Sequence, residues 1–138
     1  MPFLTPEKWQ EYVDGWREAR VRRKKQMDAR ARQALSAARS LAGLLAEDPA
    51  VVRVWLFGSL ALYLKGQREY RADSDIDLAV EGLPAERFFP VLSLLNEKSP
   101  RPVDLVDISA CSPSVRQSII ERGLLLYERP GTTADSGQ

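Results

Sequence analysis

Residues 75–80 read DIDLAV, in which acidic and apolar side chains alternate before the run becomes wholly apolar. This period of two predicts a β-strand. Because side chains two residues apart on a strand point the same way, Asp75 and Asp77 share a face. Two neighbouring carboxylates repel each other unless a cation or solvent compensates their charge. The pair predicts either a site for a hard divalent cation, above all Mg²⁺, or a solvated strand face.

A strand is also predicted ahead of this one. Residues 51–57, VVRVWLF, are rich in β-branched and aromatic side chains, and Gly58-Ser59 ends the run before a short helix predicted over residues 60–64. Glycine lets backbone amides approach a ligand closely, and a serine hydroxyl at a helix start donates to phosphate oxygens. Gly58 and Ser59 are therefore candidates for phosphate binding, with an ordinary turn as the alternative.

A third strand, predicted over residues 102–108, carries another acid. Asp104 stands inside the run PVDLVDI, where an acidic side chain is disfavoured unless it has a role. With Asp75 and Asp77 it completes a carboxylate set suited to two-metal nucleotidyl transfer, and it is placed to take the proton of an attacking hydroxyl. Asp107 faces the other side of the strand, and we interpret it as a strand-end or turn acid.

Helices and strands alternate throughout the chain after residue 50. The further elements are a helix at 85–97 that Pro90 starts or kinks, a helix that Ser112-Pro113 opens and Gly123 ends, and a strand at 124–127. This order predicts an α/β fold with a mixed sheet of about four strands and flanking helices. Residues 130–138 are small and polar and are expected to form a disordered tail.

The N-terminal part is predicted to be a basic helical arm. Thr5-Pro6 is typical of a helix start, and residues 6–47 are expected to be helical, as one helix or as two with a break near the basic cluster. An apolar stripe begins the arm, at Trp9, Tyr12, Val13 and Trp16. It packs on the protein's own core, or it docks on a partner or a second copy. The predicted divisions are 1–48 for the arm, 49–129 for the domain and 130–138 for the tail.

Composition limits the chemistry. The 138 residues suit one domain, and the absence of histidine excludes imidazole catalysis and histidine metal sites. Cys111 is the single cysteine, so a reducing, cytoplasmic setting is expected. The net charge of +1 is unevenly spread, because residues 17–39 carry nine basic and two acidic side chains whereas 69–107 carry nine acidic and four basic ones. The basic arm makes nucleic-acid binding a further, less favoured hypothesis.

Three motifs occur in order along the chain: LFGS at 56–59, SDIDLAV at 74–80 and VDLV at 103–106. Together they resemble the minimal nucleotidyltransferase family of the polymerase-β-like superfamily, and IERGLLLYE at 120–128 is similar to the family's usual close. The resemblance implies the polymerase-β-like fold. It implies that Gly58 and Ser59 bind the triphosphate of ATP. It also implies that the catalytic residues, which bind one or two Mg²⁺ ions, are Asp75, Asp77 and Asp104.

The same resemblance implies a biological role. Many members are antitoxins encoded beside a HEPN-domain ribonuclease toxin, and they transfer AMP from ATP to a tyrosine of that partner. The chain departs from the family after Ser59, because Leu60 follows it and the loop at 65–73 is longer. Lys65, Arg68 or Arg71 would then supply charge to the phosphates. This departure supports the alternative of a non-catalytic antitoxin that neutralises its partner by contact.

Overall fold

A computed structural model describes residues 5–67 and 75–131. The elements are α1 (Pro6–Ala46), β1 (Arg53–Phe57), α2 (Gly58–Leu64), β2 (Ile76–Glu81), α3 (Ala85–Lys98), β3 (Val103–Asp107), a 3₁₀ turn (Ile108–Ala110), α4 (Pro113–Arg122) and β4 (Leu124–Glu128). The four strands form one sheet in the order β3-β2-β1-β4. Strand β1 is antiparallel to β2 and β4, whereas β2 is parallel to β3. The predicted α/β fold with a mixed four-stranded sheet is confirmed.

Helix α1 runs without interruption for 41 residues, so the single-helix alternative is the correct one. Its start is capped by Thr5, whose hydroxyl accepts a hydrogen bond from the backbone N–H of Lys8 at 3.1 Å, and Pro6 occupies the first helical position. The basic cluster does not break the helix because Arg and Lys are good helix formers. At 1.5 Å per residue, α1 is about 60 Å long.

The main core lies between one face of the sheet and the C-terminal half of α1. Small side chains let the helix approach closely, and its buried positions are Ala31, Ala34, Ala38, Leu41, Ala42 and Leu45. They join one cluster with the sheet residues Val54, Leu56, Leu78 and Val80. In contrast, no side chain between residues 5 and 26 is buried. Half of α1 therefore belongs to the core, and the other half projects beyond it.

The opposite face of the sheet is covered by the 3₁₀ turn and α4. Trp55 and Ala79 form a smaller buried cluster there with Ile108 and Ile119, and Phe57 packs against it. Because strand side chains alternate between faces, the odd-numbered positions of β1 and β2 belong to this second face. Asp77 is one of these positions, so it lies on the face that the 3₁₀ turn and α4 cover.

Several boundaries differ from those expected. Strand β2 begins at Ile76, so Asp75 immediately precedes it, and the short helix starts at Gly58. Helix α3 starts at Ala85 and continues through Pro90, which therefore neither starts nor ends it. The expected loop at 65–73 and the expected tail at 130–138 lie mostly outside the described residues. Within the described ranges, no helix is long and apolar enough to cross a membrane.

Candidate functional site

Asp77 lies at the centre of the site, on the strand between β1 and β3. Its Cα pairs with that of Phe57 on β1 and with that of Asp104 on β3. Residues directly opposite each other on paired strands point to the same face. Asp77 and Asp104 therefore stand side by side on the second face of the sheet. Asp75 lies two residues before Asp77, immediately ahead of β2. The structure thus places Asp104 beside Asp77, and Asp75 directly precedes the strand that carries Asp77.

The electrostatics of Asp77 reflect this crowding. The pKa of the Asp77 carboxyl is raised from 3.8 to about 6, first by burial and then by the negative charges of Asp104 and Asp75 and a hydrogen bond with Asp104. Asp75 and Asp104 themselves are exposed. The site thus combines one partly desolvated carboxylate with two accessible ones, and it holds excess negative charge that a cation would relieve.

The turn between β1 and α2 closes the site on the other side. Gly58 has φ +78°, and a Cβ built on it would overlap Oδ2 of Asp77 and stand 3.1 Å from its Cγ. Glycine is therefore required twice here, for the left-handed backbone and for the close approach of the carboxylate. Because Gly58 is the first residue of α2, Ser59 lies in the first turn of that helix, half-buried beside the acidic strand.

A side chain that the sequence did not single out ties β3 in place. The side-chain oxygen of Asn96 accepts from the backbone N–H of Val103 at 2.9 Å, and its amide donates to the carbonyls of Val103 and Leu92, both at 3.1 Å. Asn96 therefore bonds both backbone groups of Val103, the residue before Asp104, at the outer edge of β3. Nothing in the sequence separates this asparagine from an ordinary polar residue near the end of an amphipathic helix.

Other polar residues near the site have structural partners. Asp107 accepts hydrogen bonds from the backbone N–H of Ser109 at 3.0 Å and from its hydroxyl at 2.6 Å, which confirms that it is a turn acid. The amine of Lys65 donates to the carbonyl of Glu121 at 3.2 Å. Lys65 thus stands at the opposite end of α2 from Ser59, bound to the end of α4 rather than beside the turn. Arg68 and Arg71 lie outside the described residues.

The donor set fits a hard divalent cation, because it consists of carboxylate oxygens whose mutual repulsion is otherwise uncompensated. Among the described residues, no three His, Cys, Asp or Glu side chains are grouped closely enough to hold a metal without rearrangement. The raised pKa of Asp77 nevertheless shows that Asp75 and Asp104 act on it electrostatically. The strand register fixes Asp77 next to Asp104, and Asp75, Asp77 and Asp104 together are called the acidic edge.

A separate cavity of about 460 Å³ lies on the same sheet face, at the opposite end of β1. Arg53 and Trp55 line it together with Arg116 and Ile120 of α4. The guanidinium of Arg53 binds Glu81 and Glu128, each at 2.7 Å. Arg53 is four residues from Phe57, the neighbour of Asp77, so the cavity is distinct from the acidic edge.

Strand order, mixed pairing and flanking helices together define a polymerase-β-like nucleotidyltransferase fold. Residues 39–131, well over half of the chain, match the family model described as "Polymerase beta, Nucleotidyltransferase". The chain therefore belongs to the polymerase-β nucleotidyltransferase family. No curated protein matches it significantly.

Solved toxin–antitoxin structures have the same fold. One is a mutant of the MntA–HpeT toxin–antitoxin, with a TM-score of 0.54 and 24% identity over 66% of this chain and 72% of the other. Another is a toxin–antitoxin with AMP-PNP, with a TM-score of 0.52 and 26% identity over 68% and 74% of the two chains. A second MntA–HpeT mutant gives 0.51 and 25% over 66% and 71%.

Proposed function

We propose that this protein is a Mg²⁺-dependent nucleotidyltransferase that transfers AMP from ATP to a hydroxyl of a partner protein, and that it serves as an antitoxin. The observation that carries the proposal is the pairing of Asp77 with Asp104 beside Gly58 on one sheet face. Support for the nucleotide comes from the similar toxin–antitoxin with AMP-PNP, an analogue of ATP. Support for the antitoxin role comes from the toxin–antitoxin complexes among the similar structures, and a HEPN-domain toxin is the partner that we propose.

The roles follow from burial and position. Gly58 leaves the backbone of the turn accessible, and the Ser59 hydroxyl donates to the triphosphate. Asp75, Asp77 and Asp104 would hold Mg²⁺, which supplies positive charge to neutralise the triphosphate and the leaving pyrophosphate. Asp77 is the least suited to move a proton to solvent, because it is packed between two strands and against Gly58.

Asp104 is the residue that we assign as general base. Its carboxylate is exposed, so an acceptor hydroxyl can approach it from solvent. The hydroxyl oxygen of the acceptor attacks the α-phosphorus of ATP, its proton passes to Asp104, and pyrophosphate leaves. One P–O bond forms and one breaks, so AMP ends on the acceptor protein.

The direct test combines the protein with ATP, Mg²⁺ and the HEPN protein encoded beside it, and weighs both chains by intact mass spectrometry. We expect the partner to gain the mass of AMP, and Asp77→Asn or a chelator to abolish the gain. Asp107→Asn is the matched control, since Asp107 only caps the 3₁₀ turn and should leave transfer intact. An unmodified partner with the wild-type chain would refute the proposal.

Neutralisation by contact is the second candidate, and the burial of Leu60 favours it. Leu60 is 1% exposed and belongs to the core, so the position after Ser59 serves packing instead of phosphate binding. If contact suffices, Asp77→Asn still protects cells from the toxin although AMP transfer is lost. Loss of protection in a variant that still binds the partner would exclude this candidate.

A further inference from the structure

The N-terminal half of α1 carries apolar side chains that the rest of the chain does not cover. Trp9, Tyr12 and Trp16 are 54%, 62% and 60% exposed, and the rings of Trp9 and Tyr12 stack at 6.0 Å. The alternative in which this stripe packs on the protein's own core is therefore wrong. Further along α1, Lys24 and Asp28 bond to the hydroxyl of Tyr63 in the body of the protein.

A bare helix of this kind is not expected to remain uncovered. Most of the stability of a helix in a protein comes from the packing of its apolar face, which the exposed half of α1 lacks. Aromatic side chains bury about 150–250 Å² each, so the three exposed rings present roughly 300 Å² of contiguous apolar surface. This approaches the largest patch that a typical monomer exposes, and such patches mark interaction sites.

The helix face that bears the rings also bears two arginines. Helical spacing places seven side chains on this face, which we call the arm stripe: Trp9, Tyr12, Val13, Trp16, Ala19, Arg20 and Arg23. Its first half is aromatic and its second half is cationic. Trp16 is the midpoint between Trp9 and Arg23, so each half has the same length.

The two halves of the arm stripe complement each other about that midpoint. In an antiparallel pair of arms centred on Trp16, Arg23 of one copy lies opposite Trp9 of the other, and Arg20 lies opposite Tyr12. Guanidinium groups stack favourably on such rings. In a parallel pair, Arg20 and Arg23 of one copy would instead lie opposite the same two arginines of the other copy. Buried like charges repel each other. The stripe is thus self-complementary in one orientation only.

The overall charge of the arm favours the same orientation. Residues 6–16 contain three acids and one lysine, whereas residues 17–25 contain six basic residues and one acid. The acids project from the far side of the helix from the stripe, so they act at long range and are screened by salt. Antiparallel arms bring these unlike segments together.

We propose that the exposed half of α1 binds a second copy of this chain, as an antiparallel helix pair centred on Trp16. The arms then form the rod of a two-headed dimer, with one nucleotidyltransferase domain at each end. Both acidic edges stay accessible, because they lie on the sheet face opposite the one that packs against α1.

Sedimentation equilibrium of the purified chain tests the pairing. The expected mass is twice the 15.5 kDa of one chain. Trp16→Ala and the double variant Arg20→Glu/Arg23→Glu are each expected to weaken association by about 100-fold or more, which corresponds to the loss of about 2.7 kcal/mol. The body of the protein should remain folded by circular dichroism, since no stripe residue is buried in it. A wild-type chain that sediments as a monomer would overturn the proposal.

The charge change itself has a matched control. Arg22→Glu/Lys25→Glu alters the net charge by the same amount as the stripe variant, at positions away from the stripe. We expect this control to remain a dimer. If it dissociates as fully as Arg20→Glu/Arg23→Glu does, association depends on the general charge of the arm and not on the stripe, and the proposed pairing is wrong.

Disulfide trapping tests the orientation. In a Cys111→Ser background, Val13→Cys and Ala19→Cys chains are oxidised separately and as a mixture. Positions 13 and 19 face each other across an axis at Trp16, whereas two copies of position 13 stand six residues apart, about 9 Å along the helix. We expect the cross-linked dimer only in the mixture. Cross-linking of each variant with itself, as in a parallel pair, contradicts the model.

Discussion

Gly58 leaves no room for a β-carbon, because Oδ2 of Asp77 occupies the place where one would stand. The turn after β1 and the acid on β2 are therefore packed against each other. The glycine of a phosphate-binding turn is usually explained by the ligand, but here the carboxylate imposes the same requirement. Any side chain at this position must displace the Asp77 carboxylate from its place.

The first prediction is that Gly58→Ala lowers the rate of AMP transfer by about 100-fold or more, because the new β-carbon displaces Asp77. Gly66→Ala is a close control. Gly66 has φ +76° against +78° for Gly58, but nothing lies within 4 Å of a Cβ there. Both variants lose about 1–2 kcal/mol to the left-handed backbone. Transfer assays and denaturant unfolding separate the two effects, and equal activity losses would contradict the packing argument.

The second prediction concerns the charge on Asp77. In a chelating buffer at pH 8, Asp77→Asn should be more stable than wild type by about 1 kcal/mol, which is a rise of about 3 °C in Tm. This is less than the full pKa shift implies, because the carboxylate is half exposed and water screens it. The cause is the removal of a partly buried charge next to two other acids.

The sign of this effect depends on pH. The folded-state pKa of Asp77, about 6, lies above the ordinary value of 3.8, so the folded chain binds more protons than the unfolded one between these values. Wild-type stability therefore falls as pH rises from about 4 to about 6. We expect the advantage of Asp77→Asn to fall to about half at pH 5 and to vanish only below about pH 4. Asp75→Asn, at an exposed position, should change Tm little at either pH.

The sequence predicted the two strands that carry the acids, because polar and apolar residues alternate in β2 and the neighbours of Asp104 in β3 favour a strand. It predicted Asp75, Asp77 and Asp104 as one set, but the register that places Asp77 beside Asp104 is a property of the sheet. The close packing of Gly58 against Asp77 could not be predicted from the sequence either, since the two residues are distant in the chain and meet only when β1 pairs with β2.

Two features of the helices escaped prediction for different reasons. Pro90 predicted a start or a kink, but α3 begins at Ala85 and continues through Pro90, because packing of Leu95 and its neighbours on the sheet outweighs one lost hydrogen bond. Asn96 gave no signal, because its role depends on the backbone of Val103 in another element. Periodicity predicted that the aromatic side chains share one helix face. It could not show whether that face packs on the protein's own core or on another chain.

The third prediction is that Asn96→Ala lowers stability by about 1–3 kcal/mol and also reduces transfer. Its loss leaves the backbone N–H and carbonyl of Val103 without their side-chain partners, at a partly buried strand edge. Because Asp104 follows directly, we expect a fall in kcat at a temperature where the variant is folded. Asn96→Asp keeps the acceptor for the Val103 N–H and should retain more of both properties.

The fourth prediction places a stabilising ion cluster at the far end of the sheet. Arg53 on β1 bridges Glu81 on β2 and Glu128 on β4, and its side chain is only 15% exposed. Arg53→Met removes the shared cation and leaves two carboxylates without compensation, one on each of the strands that flank β1. We expect a loss of about 1–3 kcal/mol in the free energy of unfolding, between the values for exposed and buried pairs.

This loss should have two signatures. Salt at 1 M should recover part of it, because screening weakens the repulsion between Glu81 and Glu128. The triple variant Arg53→Met/Glu81→Gln/Glu128→Gln should be more stable than Arg53→Met alone, since it removes the uncompensated charges as well. Transfer activity should be unchanged in every folded variant, because the cluster lies at the opposite end of β1 from Phe57 and Asp77. An activity loss without unfolding would show that this cavity communicates with the acidic edge.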